Sequence, residues 1–198
     1  MSVQAVETFY GILALVGMAG LAVLVVVRLL ASMSARWRER WAGLVEAVGP
    51  NAYAAAWFVA LLATTGSLYF SEVAGFEPCR LCWYQRIAMY PLVILLGIAA
   101  ARRERAGAFY TIGLAVIGAL VSTYHVALEW FPSLDSGACS ATTPCTLVWF
   151  RVFGFISLPT LALVAFLLIL ALMVIRLGLR EPGLDDEPDP DPSQPHVP

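Results

Sequence analysis

The chain has 198 residues, 60% of them hydrophobic and 13% charged, with a mean hydropathy of +0.79. No water-soluble domain hides that much apolar surface, so the composition points to a polytopic membrane protein. All 12 basic residues are arginine, and six of the 14 acidic residues fall in the last 18 positions, leaving 12 basic against 8 acidic residues elsewhere; the arginines sort by loop rather than gathering into a nucleic-acid-binding surface, and no nucleic acid is expected as a partner.

Five apolar runs, at 7–31, 52–71, 84–101, 107–130 and 158–177, each hold about the 20 residues that a helix needs to cross the hydrocarbon layer. Backbone groups in lipid must be satisfied within the segment, so these runs are expected to be helices and the fold all-α. The first run is expected to be a membrane span, because it lacks a basic leader, carries Glu7 and is longer than a signal core, with a cleaved signal the plainer alternative. Residues 33–49 read as a helix lying in the membrane interface, with Trp37, Trp41, Leu44, Val45 and Val48 on one face and Arg36, Arg38 and Arg40 mostly off it. A linker anchored by its tryptophans is the plainer alternative.

Arginine placement sets the expected orientation. Arg28, Arg36, Arg38, Arg40, Arg102, Arg103, Arg105, Arg176 and Arg180 fall on one side of the five spans, and Arg80, Arg86 and Arg151 on the other. The positive-inside rule makes the first side cytoplasmic, the C-terminus inside and the N-terminus outside.

The third run begins at Pro78-Cys79-Arg80-Leu81-Cys82-Trp83-Tyr84-Gln85-Arg86. A Cys-x-x-Cys at a helix start sits where free N–H groups and the helix dipole favour a thiolate, here expected at Cys82. Arg86 lies four residues after Cys82, on the same helix face. An arginine within a span is costly and reads as functional, although snorkelling to the headgroups is the plain alternative. Pro91 is expected to kink this helix.

The other two cysteines, Cys139 and Cys145, lie in the polar loop Asp135–Cys145 before the fifth run. If they bond, the loop-entropy model gives about 2.4 kcal/mol, less than a long-range staple would. A short exposed disulfide suits exchange better than stapling. Both pairs fall on the predicted extracytoplasmic side, where disulfides persist. A zinc site of four thiolates is disfavoured by the five residues between Cys139 and Cys145, by the oxidising side and by the lack of a flanking histidine; no metal is expected. Residues 146–157 should run along the outer surface, with Ser157 capping the last helix and Pro159 in its first turn. The tail 181–198, with six prolines and six acids, should be disordered, and His196 within it incidental.

Three stretches carry a family resemblance: Glu77 to Gly97 (EPCRLCWYQRIAMYPLVILLG), Ser122 to Pro132 (STYHVALEWFP) and Gly137 to Phe166 (GACSATTPCTLVWFRVFGFISLPTLALVAF). Through them the chain resembles the disulfide bond formation protein B family, and more closely its short-loop BdbC-like branch, over about residues 52–177. The resemblance implies a four-helix membrane bundle that reoxidises an extracytoplasmic thioredoxin-fold dithiol oxidase and passes the electrons to a membrane quinone, either menaquinone or ubiquinone. Cys79 and Cys82 then match the redox pair beside the quinone, and Arg86 and His125 match residues of the quinone site. Cys139 and Cys145 match the pair that exchanges with the partner.

The chain departs from that family in an extra N-terminal span and in its acidic tail. The expected organisation is an extra helix at 1–32, an interfacial segment at 33–49, the membrane domain at 50–180 and the tail at 181–198, in a bacterial plasma membrane. Two rivals are a vitamin-K-epoxide-reductase-type enzyme, whose Cys-x-x-Cys follows its loop pair instead of preceding it, and a non-catalytic scaffold with structural disulfides.

Overall fold

The computed structural model describes residues 2–103, 106–135, 137, 139 and 143–179. Arg105, Arg180, the 181–198 tail with His196, and parts of the Asp135–Cys145 loop lie outside the described residues. Six helices follow one another: α1 (Val3–Met33), α2 (Ala35–Val48), α3 (Ala52–Leu68), α4 (Arg80–Arg102), α5 (Ala106–Trp130) and α6 (Leu158–Leu177). Five segments, namely α1, the α2–α3 stretch, α4, α5 and α6, are long and apolar enough to cross a membrane. Among the described residues there is no β-strand, and one isolated bridge joins Val152 to Ile156.

The boundaries differ from the apolar runs where capping chemistry decides them. The third run reads as starting at residue 84, but α4 begins at Arg80 because the Cys79 sulfur caps its first turn. The second run's outer end relaxes into a π-helical turn, Tyr69–Val73. Ser157 occupies the N-cap position of α6 as expected, with Pro159 in the first turn, yet its hydroxyl makes no capping bond. It donates instead to Glu129 Oε2 at 2.5 Å and pairs with Thr160 Oγ1 at 3.1 Å. Pro91 sits inside an unbroken α4.

Helices α3 to α6 form the bundle. Ala56 and Ala60 of α3, Leu92 and Leu96 of α4, Ala108 and Ala115 of α5, and Phe166, Ile169 and Met173 of α6 are fully buried together. Small residues let the helix backbones approach closely, which is how apolar helices gain packing in lipid. Gly118 is the tightest such point: a Cβ there would fall inside the van der Waals surface of the Phe166 ring. The opposite faces carry exposed Ile94, Phe109 and Leu120, as suits a lipid-facing surface. At the far end from the cysteines, Arg176 of α6 donates to the Arg103 carbonyl at 2.8 Å and lies over the Tyr53 ring, tying the α4–α5 turn to α6 and α3.

In α2, the residues shielded from solvent include Trp37, Trp41, Leu44, Val45 and Val48, the face read from the sequence. Arg40 lies over Trp37 and Arg28 over Trp41, at 4.6 and 5.7 Å from the ring centroids. Helix α1 packs alongside the bundle. It meets α6 closely at Gly17, where a Cβ would come within 2.9 Å of Leu168 Cδ1, and it reaches α3 through the Tyr10 hydroxyl, which donates to the Leu62 carbonyl at 3.2 Å.

Candidate active site

The loop before α4 aims the first cysteine pair. Gly75 adopts φ 72, a left-handed conformation open to glycine, and the Phe76 N–H closes back on the Phe70 carbonyl at 2.8 Å. Phe76 then stacks between Phe70 and Trp149, with centroids at 5.7 and 4.8 Å, so that Pro78 and Cys79 enter α4 from a fixed direction. The backbone of Cys79 is extended and its Sγ accepts the Cys82 N–H at 3.3 Å. The helix start was expected to act on Cys82; its N–H points instead at the sulfur of Cys79.

The two Sγ atoms stand 2.8 Å apart, and closing them to the ~2.05 Å of a disulfide needs less than an ångström. The Cys79 thiol is held well below the ordinary thiol range. The main cause is the hydrogen bond from Cys82; His125 and the Cys82 N–H add to it, against the opposing effect of burial.

His125 of α5 joins the two cysteine pairs. Its Nε2 lies 3.7 Å from Cys79 Sγ and 3.1 Å from the Cys145 carbonyl oxygen, while Nδ1 is 3.3 Å from the amide nitrogen of Gln85. With that amide donating to Nδ1, the ring proton sits on Nε2 and is donated toward Cys145. Cys139 and Cys145 are joined in a disulfide with Cα atoms 5.8 Å apart. Cys145 is fully buried against Cys79, Leu81 and Leu128, whereas Cys139 is partly exposed. The fold therefore brings all four cysteines and His125, separated by up to 66 positions in the chain, to one end of the bundle.

An apolar cavity of about 360 Å³ opens beside the first pair, with Cys82 and Arg86 on its wall. Arg86 is half-buried and bonds back to α3. Its Nε donates to Ser67 Oγ and its Nη2 to the Ser67 carbonyl, both at 3.0 Å, and its guanidinium lies 5.2 Å from the Trp83 ring centroid. The Tyr90 hydroxyl donates to Ser67 Oγ at 3.4 Å. Ser67 lies near the end of α3, just before the π-helical turn Tyr69–Val73. Arg86 thus stands on a mostly apolar wall that also carries Glu77, Ser71 and Gln85.

Three contributors escape a reading of motifs alone. Gln85 holds His125 and is buried, although it sits inside the Cys-x-x-Cys stretch. Ser67 holds Arg86 from a span with no distinctive pattern. Glu129, one helical turn after His125, is buried against Ser157, while Arg151 donates to its carbonyl at 3.2 Å. Its signal was available, because an acidic residue within a span reads as functional.

No histidine flanks the cysteines in the chain, but the fold brings His125 beside the first pair. Cys79, Cys82 and His125 place their donor atoms within 4.8 Å of one another. That makes three donors where a closed zinc site takes four, and the sulfurs of Cys139 and Cys145 are committed to their disulfide.

The lowered Cys79 thiol yields a test. In the reduced protein, the reaction of the first pair with iodoacetamide should show a midpoint below the ~8.5 of a free cysteine. His125→Phe keeps a ring but removes both nitrogens, and should raise that midpoint only partly because the Cys82 hydrogen bond remains. A midpoint that His125→Phe does not move would reduce His125 to packing.

Residues 50–176 match the family described as Disulfide bond formation protein DsbB. A probable disulfide formation protein of Oceanobacillus iheyensis is 46% identical over 129 residues, covering 64% of this chain and 88% of its own length. Disulfide bond formation protein C of Bacillus subtilis is 46% identical over 125 residues, covering 63% of this chain and 91% of its own. A probable disulfide formation protein C of Bacillus cereus is 48% identical over 115 residues, or 58% and 83% of the two chains. No solved structure matches the chain.

Proposed function

The chain belongs to the disulfide bond formation protein DsbB family, and from that premise we propose that it is a membrane thiol–disulfide oxidoreductase that reoxidises an extracytoplasmic thioredoxin-fold dithiol oxidase and delivers the electrons to a membrane quinone. The observation that carries this reading is the contact between a partly exposed disulfide, a partly buried dithiol and an apolar cavity. In this reading electrons pass from partly exposed Cys139 through buried Cys145 and Cys79 to Cys82 on the cavity wall.

A thiolate of the reduced partner attacks Cys139, and Cys145 leaves as a thiolate. Cys145 attacks the Cys79–Cys82 disulfide at Cys79, and Cys82 leaves. The partner's second thiol displaces Cys139 and departs oxidised. Cys139 then displaces Cys79 from Cys145, restoring the outer disulfide with the inner pair reduced. Two electrons have moved inward, and each step exchanges one S–S bond for another. His125 holds the Cys145 carbonyl and the Cys79 sulfur, keeping attacking and attacked groups adjacent.

The cavity suits a quinone. It is largely apolar, it touches Cys82, and Arg86 offers a fixed donor and charge to a carbonyl oxygen. A quinone bound there supplies the two-electron, two-proton acceptor that regenerates the Cys79–Cys82 disulfide. Arg86 holds its charge in place before any ligand arrives, because Ser67 fixes it.

The arginines support the orientation. Arg28, Arg36, Arg38, Arg40, Arg102, Arg103 and Arg176 gather toward the end of the bundle opposite the cysteines, which by the positive-inside rule favours a cytoplasmic position for that end and an extracytoplasmic one for the redox end. The test is a catalytic amount of purified protein with reduced thioredoxin-fold oxidase and an equimolar amount of quinone, following partner thiols and quinone absorbance together. Two partner thiols should be lost for each quinone reduced, with the same time course. Thiol loss that continues at the same rate without quinone would reject the acceptor, and no thiol loss would reject the activity.

A further inference from the structure

The family match begins at residue 50, so α1 lies outside it. Yet α1 is part of the cavity that carries Cys82 and Arg86. Tyr10, Leu13, Ala14, Val16 and Gly17 line it, opposite α3 and α4. The packing explains why a space is left there. At Gly17 the backbone of α1 lies close against Val164 and Leu168 of α6. Toward α3, contact is made through a long side chain: Tyr10 reaches across to the Leu62 carbonyl at 3.2 Å, and its ring sits against Gly66, where a Cβ would come within 2.6 Å of Tyr10 Cζ. Helix α1 is therefore close to α6 and held away from α3, and the wedge between them is the deep part of the cavity.

The cavity has two chemically distinct ends. Near the cysteines it holds Cys82, Gln85, Arg86, Ser67, Ser71 and Glu77. Along α3 it runs down to Phe58, nine residues from Ser67 and so about 13 Å away at 1.5 Å per residue. That inner part, walled by α1, is lined by Leu13, Ala14, Val16, Phe58 and Leu168 and offers no charged group. A quinone has the same two-part character, with a polar ring on an apolar prenyl tail.

Resting on the quinone reading above, we propose that α1 forms the wall of the prenyl-tail channel, with Leu13, Ala14 and Gly17 setting how a long tail fits while the ring is held by α3 and α4. The extra helix is then a specificity element for tail length rather than a topological addition. Ala14, which is buried at the wall, is the sensitive position: three added carbons in Ala14→Leu would occupy tail space without touching Arg86 or Cys82.

The test compares menaquinone carrying a long isoprenoid tail with tail-less menadione, reading binding through quenching of tryptophan fluorescence. Ala14→Leu should weaken binding of the tailed quinone about tenfold and leave menadione within about twofold, the scale on which an apolar pocket senses added carbon. Leu13→Ala widens the same wall and should also change the preference for tailed over tail-less quinone. Because a substituted helix can unseat, the unsubstituted protein gives a second measurement: a menaquinone with a photoreactive diazirine on its tail should label residues 10–17. Equal effects on both quinones, unchanged binding of the tailed quinone, or label confined to α3, α4 and α6 would each overturn the proposal. If the unsubstituted protein binds neither quinone, the quinone reading itself falls and takes this inference with it.

Discussion

Cys145→Ser is expected to trap the partner oxidase on Cys139. In that variant Cys139 is a free thiol, and it attacks the disulfide of the oxidised partner to give a mixed disulfide. No Cys145 sulfur is present to displace it, so an adduct should accumulate on a non-reducing gel and turnover should fall to background. The structure gives the reason for assigning the roles this way. Cys139 is partly exposed and Cys145 is fully buried against Cys79 and Leu128, so a thiolate arriving from solvent meets Cys139. The Cys145 sulfur is the one placed to continue inward.

Cys79→Ser should separate the two halves of the relay. The outer disulfide can oxidise one equivalent of partner, after which the reaction stops because electrons cannot pass to Cys82. Cys139→Ser should abolish partner oxidation. An adduct on Cys145 in the Cys139→Ser variant would keep the relay but exchange the two roles. If neither variant traps partner and both still reduce quinone, the Cys139–Cys145 bond is a loop clip and the mechanism is wrong.

Much of this arrangement is legible in the sequence, for identifiable reasons. The spans announce themselves because every residue facing lipid must be apolar, so hydropathy alone places α1, α3, α4, α5 and α6 to within a few residues. The shielded face of α2 is legible from the spacing of Trp37, Trp41, Leu44, Val45 and Val48. The cysteines and Arg86 stand out because a thiol pair and a charge at a membrane boundary need a reason to be there.

What escapes is set by contacts between distant segments. Nothing at Ser67 says that it anchors a guanidinium 19 positions away, and nothing at Ser157 says that its hydroxyl will serve Glu129 rather than its own helix. The cavity is invisible for the same reason: it exists because α1 lies close to α6 and is held off α3 by Tyr10, a property of three helices together. Even the donation of the Cys82 N–H to the Cys79 sulfur depends on the extended backbone at Cys79.

Arg86→Met should damage the membrane half of the reaction and spare the aqueous half. The guanidinium is held at two points by Ser67 and faces the cavity beside Cys82, so its charge is already oriented where a carbonyl oxygen would accept a hydrogen bond. Methionine retains much of the length and apolar volume but offers no donor. Losing a hydrogen bond from a charged group costs roughly 10- to 100-fold, so kcat/KM for quinone should fall by about that factor. Exchange between the partner and the Cys139–Cys145 disulfide lies upstream and should keep its rate in a single-turnover experiment. Ser67→Ala sharpens the comparison. It removes the Oγ acceptor but leaves the Ser67 carbonyl, so Arg86 keeps its charge and one anchor, and the loss should be distinctly smaller than for Arg86→Met. Equal losses in the two variants would mean that the position of the charge matters as much as its presence. Unchanged quinone turnover in Arg86→Met would make the residue a helix-to-helix tie between α4 and α3, and the polarity at the ring end of the cavity would then come from the other polar side chains there, Gln85, Tyr90, Ser67, Ser71 and Glu77.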